Sequence, residues 1–127
     1  MIAQILLADD NADFLSVLSD YLVARGHHVV TAKDGFQLSQ MAADCRPHLI
    51  ITDVQMPGAY GSSAYQVLQK DADTSQIPVI FISGHPYDKI APILPTSPRT
   101  RFLQKPLDYE KLELLMDELL PLGGFCP

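Results

Sequence analysis

The sequence predicts an α/β domain, a parallel sheet with helices packed on both of its faces. Short apolar runs alternate with amphipathic stretches along the whole chain, with no internal repeat and no low-complexity tract, which is the βαβα order. The runs are apolar at successive positions, as in Leu49-Ile50-Ile51-Thr52, so both faces of each strand need covering. A parallel sheet with crossover connections provides that cover. At 127 residues the chain is long enough for one domain that buries roughly two-thirds of its unfolded surface, and too short for two such cores.

The elements follow in order. Residues 5–8 read as a buried strand. Asn11 caps a helix whose apolar positions Phe14, Val17, Leu18, Tyr21 and Leu22 recur at helical spacing, and Gly26 after Arg25 stops it. Residues 28–32 form a second strand, and residues 35–45 repeat the helical period through Phe36, Leu38, Met41 and Ala42. Pro47 separates that helix from a third strand over residues 49–52, which Asp53 ends. Residues 54–61, with Pro57, Gly58 and Gly61, predict a loop, and residues 62–70 a helix with Tyr65 and Leu68 inward. A fourth strand covers residues 79–82 with Ser83 at its end, a short fifth covers 102–104, and a closing helix over 109–120 puts Leu112, Leu115, Met116 and Leu119 on one face. Between Ser83 and Phe102 the alternation asks for a helix, yet Pro86, Pro92, Pro95 and Pro98 are spread through it. An interior proline costs ~3 kcal/mol or more. One or two turns near residues 87–91 are the most that can form, so the fourth helix is expected to be short or missing.

Charge and composition narrow the function. Fifteen acids against nine bases give a formal charge of −6, which repels nucleic-acid phosphates and anionic lipids. The nearest basic group, Arg99, Arg101 and Lys105, is followed at once by the acids from Asp108 to Glu118. Cys45 and Cys126 lack metal-type spacing and read as reduced thiols. His27, His28, His48 and His85 form no helical i, i+4 pair, so a zinc site is not expected. No apolar run approaches the ~20 residues a bilayer span needs, and residues 1–7 carry no basic segment of a secretory signal. The expectation is a cytoplasmic chain without membrane insertion.

In open parallel α/β sheets ligands bind beyond the carboxyl ends of the strands. That edge receives Asp9 and Asp10 after the first strand, Asp53 after the third, Ser83 after the fourth and Lys105 after the fifth. Crowded carboxylates repel unless cations balance them. Lys105 supplies one positive charge, and an all-oxygen donor set suits Mg²⁺ for the rest.

The run Leu7-Ala8-Asp9-Asp10-Asn11, the motif Asp53-Val54-Gln55-Met56-Pro57-Gly58, Ser83 and the run Phe102-Leu103-Gln104-Lys105-Pro106 resemble the receiver domain of two-component response regulators. Each piece alone is common, but together, in order, they are specific, and the match runs from Ile5 to about Leu120. The resemblance implies a flavodoxin-like, doubly wound sheet of five strands in the order 2-1-3-4-5. It implies one receiver domain over residues 1–127, its core at about residues 4–120, without an output domain. Asp53 would be the nucleophile and phosphoacceptor, fed by a histidine kinase or phosphotransfer protein. Asp10, Asp53 and the backbone carbonyl of Gln55 would hold Mg²⁺ directly and Asp9 largely through water. Lys105 and Ser83 would bind phosphoryl oxygens, and Pro106 would follow a cis peptide. Movement of Ser83 would open space for the ring of Phe102, the switch aromatic, while Gln55 and His85 tune the phosphoryl lifetime. Tyr60 and Tyr65 would pack near the loop and third helix without chemistry. The proline-rich stretch over residues 86–101 departs from the family, where a fourth helix forms part of the output face. That departure, with the run ending in Lys105-Pro106, looks most like receivers carried by hybrid sensor histidine kinases. Output would pass by protein contact to a downstream protein.

Two other readings compete. A hydrolase of the haloacid dehalogenase type forms an aspartyl phosphate but uses a second acid two residues after the nucleophile, and position 55 is Gln. A receiver-like module that is never phosphorylated would have little need of the full set Asp9, Asp10, Asp53, Ser83 and Lys105.

Overall fold

Strand direction follows from what lies between the strands, since each connection is long enough to cross over. The structure is a computed structural model that describes residues 2–55 and 61–123. Strands β1 (Gln4–Ala8), β2 (His28–Ala32), β3 (Leu49–Asp53), β4 (Val79–Ser83) and β5 (Thr100–Gln104) form one sheet in the order β2-β1-β3-β4-β5. Every pairing is parallel, with Ala8 opposite Ala32 and Thr52, Asp53 opposite Ile82, and Ser83 opposite Gln104. The carboxyl ends therefore line up along one edge. Strand β5 starts at Thr100, earlier than the expected residue 102, because ladder bonds are made by backbone and accept polar side chains. Val79 N–H already donates to Arg99 C=O at 2.9 Å.

The helices are α1 (Ala12–Ala24), α2 (Gly35–Cys45), α3 (Gly61–Gln69), α4 (Tyr87–Ile90) and α5 (Tyr109–Leu119). Alternation along the strands divides the core in two. Ile5, Leu7, Ile51, Ile80 and Leu103 face Leu15, Leu18 and Leu22 of α1 and Leu112, Met116 and Leu119 of α5. Leu6, Ile50, Val79 and Phe81 face Leu38 and Ala42 of α2, Tyr65 and Leu68 of α3, and Ile90 of α4. Asn11 caps α1 by accepting from Phe14 N–H at 3.1 Å, and Gly26, at φ 95°, takes the left-handed turn that ends it.

Two helical positions differ from expectation. Val17 is 60% exposed and Phe36 68% exposed, while Leu15 takes the buried place on α1. Helix α1 carries apolar residues at nearly every turn position, so spacing alone does not select its inward phase. The proline-rich stretch forms the single turn of α4 and then a 3₁₀ turn at Ala91–Ile93, as its proline content requires. Among the described residues no helix is long and apolar enough to cross a membrane.

Candidate functional site

Backbone bonds carry the ladder one step past the strands and so fix the edge residues. Asp9 N–H donates to Ala32 C=O at 3.3 Å, Val54 N–H to Ile82 C=O at 2.9 Å, and Lys105 N–H to Ser83 C=O at 2.7 Å. Val54 is thus held to the sheet and fully buried, where the sequence suggested that the loop had begun. Met56, Pro57, Gly58, Tyr60 and Cys126 lie outside the described residues.

Asp9, Asp10 and Asp53 each present a carboxylate oxygen, and the three oxygens lie within 4.8 Å of one another. Asp9 is wholly buried and Asp10 is exposed, so the first acid is structural to the site and the second faces arriving groups. Lys105 enters from β5, donating from Nζ to Asp9 Oδ2 at 2.7 Å and Asp53 Oδ2 at 3.2 Å. Burial works against the charge of Lys105. Its hydrogen bond to Asp9 and the charges of Asp53 and Asp9 more than offset that, so its pKa stands above the usual lysine value. The remaining oxygens are also engaged, Asp9 Oδ1 by Asn11 N–H at 2.9 Å and Asp53 Oδ1 by Gln55 N–H at 3.0 Å. The bond from Lys105 to Pro106 is cis.

Ser83 is only 2% exposed, and its Oγ accepts from His85 N–H at 3.0 Å, which leaves the hydroxyl hydrogen free to turn toward an acceptor. The Gln55 and His85 side chains are exposed at the rim. Phe102 does not join the carboxylates. It lies opposite Phe81 on β5, half-buried against the second core, with Tyr87 of α4 at 5.5 Å between ring centroids. Tyr65 is buried in that same core, edge-on to Phe81 at 5.8 Å. Sequence reasoning missed two contacts. Asn11, the expected cap of α1, also donates its backbone N–H to Asp9, and the Phe14 ring centroid stands 4.2 Å from Lys105 Nζ. An apolar residue at helical spacing reads as core, and no local signal distinguishes one that also meets a cation.

A five-stranded parallel sheet with an acidic cluster and one lysine at its carboxyl edge defines a receiver-type α/β domain. The family model described as the response regulator receiver domain matches residues 5–117. The chain belongs to that family, a signalling module of two-component systems and not a freestanding enzyme. It is 33% identical over 110 residues to protein PilH of Pseudomonas aeruginosa, covering 87% of this chain and 91% of that one. It is 34% identical to the response regulator PleD of Caulobacter vibrioides, covering 94% of this chain but only 28% of PleD. The fold is similar to the crystal structure of the receiver domain of a sensor histidine kinase from P. aeruginosa PAO1. The TM-score is 0.86 at 22% identity, over 95% of this chain and 99% of that one.

Proposed function

We propose that this chain relays a signal by accepting a phosphoryl group on Asp53 from a phosphohistidine of a histidine kinase or a phosphotransfer protein. The observation that carries the reading is a cluster of three carboxylates, Asp9, Asp10 and Asp53, two of which meet Lys105 Nζ, Asp9 at 2.7 Å and Asp53 at 3.2 Å. In the transfer an Asp53 carboxylate oxygen forms the new P–O bond as the P–N bond to the donor imidazole breaks. The imidazole keeps the electron pair and takes up a proton from solvent. Lys105 exchanges a carboxylate oxygen for a phosphoryl oxygen carried on Asp53, and Ser83 donates its hydroxyl to another. Phe102 is the switch aromatic: it lies across the ladder from Phe81, two residues before Ser83, so a shift of Ser83 changes the space beside its ring.

The donor set fits Mg²⁺, being all oxygen, three carboxylates close together and one of them exposed. Asp10, Asp53 and the carbonyl of Gln55 would hold the ion directly, and Asp9, already bonded to Lys105 and Asn11, would act through water. When bound, the metal neutralises charge that builds on the phosphoryl oxygens. The similar receiver of the P. aeruginosa kinase has a magnesium ion coordinated in its active site cleft. Residues 4–120 are read as one receiver unit that acts in the cytoplasm and addresses a downstream protein by contact.

Acetyl phosphate with Mg²⁺, followed by intact mass, tests the reading. A single phosphate adduct lost in Asp53→Asn is the expected result. Steady turnover of phosphate esters would replace the relay by a hydrolase, and no adduct at all would leave an unphosphorylated interaction module.

A further inference from the structure

We propose that Phe14 is a positioning residue for Lys105, its ring face holding the ammonium beside Asp53. The inference rests on the reading of Asp53 as phosphoacceptor and adds to it a residue from α1. Lys105 Nζ lies 4.2 Å from the Phe14 ring centroid, within the distance at which a ring quadrupole attracts a cation.

The contact closes a circuit. Asp9 Oδ1 accepts from Asn11 N–H, Asn11 Oδ1 accepts from Phe14 N–H, the Phe14 ring meets Lys105 Nζ, and Lys105 donates to Asp9 Oδ2. The cap that starts α1 thereby sets the ring that meets the lysine. Packing against the first core holds the Phe14 ring in place, whereas lysine has a flexible four-carbon stem. Asp9 is the nearer of the two carboxylates that Lys105 meets, at 2.7 Å against 3.2 Å for Asp53. A ring offers attraction from another side without adding negative charge to three acids that already repel one another. It also offers no ligand to a divalent cation, so it keeps its hold on Lys105 whatever Asp9 binds.

A packing role and a positioning role separate when the ring keeps its shape and loses its π charge. Phenylalanines bearing successively more ring fluorines at position 14 do this, with Phe14→Leu and Phe14→Trp as end points. The first readout is the rate of phosphorylation by acetyl phosphate at saturating Mg²⁺. The second, made on metal-free protein, is the NMR shift of the Lys105 Hε protons, which a ring face moves upfield. The expected results are a graded loss along the fluorine series, an about three- to tenfold slower rate in Phe14→Leu, and a rate in Phe14→Trp no lower than wild type. The Lys105 Hε shift should move downfield in Phe14→Leu. Equal rates across the fluorine series, or a Lys105 Hε shift that Phe14→Leu leaves unchanged, would overturn the proposal. Wild-type protein that takes no phosphoryl group on Asp53 would remove the parent reading, whereas a phosphorylated protein indifferent to the ring would remove this inference alone.

Discussion

At the scale of single residues, Lys105 balances the charge of a site in which Asp9 is buried and Asp53 nearly so. Lys105→Met removes that balance and leaves Asp9 facing Asp53 with the Asn11 amide alone. The loss of stability is expected to be about 1–3 kcal/mol by urea unfolding at neutral pH with chelator present. Millimolar Mg²⁺ should recover part of it, because an ion that binds the folded state alone stabilises that state. In metal-free wild type the lysine pKa is raised on folding. Its contribution is therefore complete below about pH 10.5, the ordinary lysine value, and disappears as pH climbs through the raised one.

At the scale of elements, two histidines hold the start of β1 at the end of the sheet opposite the acids. His27 Nδ1 accepts from Ala3 N–H at 3.1 Å and His48 Nδ1 from Gln4 N–H at 2.9 Å. To accept from Ala3, the Nδ1 of His27 must be unprotonated. Burial lowers the His27 pKa from its usual 6.5, with Glu113 opposing and Arg25 assisting. A depressed pKa means stability complete above about pH 6.5 and lost as pH falls toward the folded value. Urea midpoints between neutral and mildly acidic pH should show that fall, and His27→Gln, which keeps an acceptor without titrating, should flatten it. His27→Ala leaves the buried Ala3 N–H without its acceptor, an expected loss of about 1–3 kcal/mol. The other element of interest is the proline-rich stretch, where Tyr87 meets Phe102 and Ser97 N–H donates to Thr100 Oγ1. Hydrogen exchange over residues 86–101 should change when a beryllofluoride mimic occupies Asp53. Equal protection in both states would assign output to another surface.

At the scale of the whole molecule, one sheet separates two cores, and among the described residues Phe102 packs against the second. Leu18 lies in the first core and Phe81 in the second, both about 1% exposed. Leu18→Ala should cost about 2–5 kcal/mol and Phe81→Ala about 3–5 kcal/mol in chemical unfolding. Their consequences for signalling should differ. Phe81 shares its core with Phe102, Tyr65 and Ile90 and lies two residues from Ser83, so its loss should also alter the exchange of residues 86–101 on phosphorylation. Leu18→Ala should leave that response as in wild type.

Much of this was legible beforehand, for identifiable reasons. Continuous apolar runs such as Leu49-Ile50-Ile51 demand cover on both faces, and prolines between Ser83 and Phe102 exclude a full helix whatever surrounds them. Parallel strands bring their carboxyl ends to one edge, so Asp9, Asp10, Asp53, Ser83 and Lys105 could be placed there from strand ends alone. These are consequences of backbone sterics, hydrogen bonding and connectivity, which local sequence determines by itself. Tertiary structure decided the rest: that Val17 and Phe36 face out, that Lys105 rests nearer Asp9 than Asp53, that Phe102 packs with Tyr87, and that Phe14 meets an ammonium from the far end of the chain. Spacing leaves an apolar helix free in phase and a side chain free in direction, and only packing against residues distant in sequence removes that freedom.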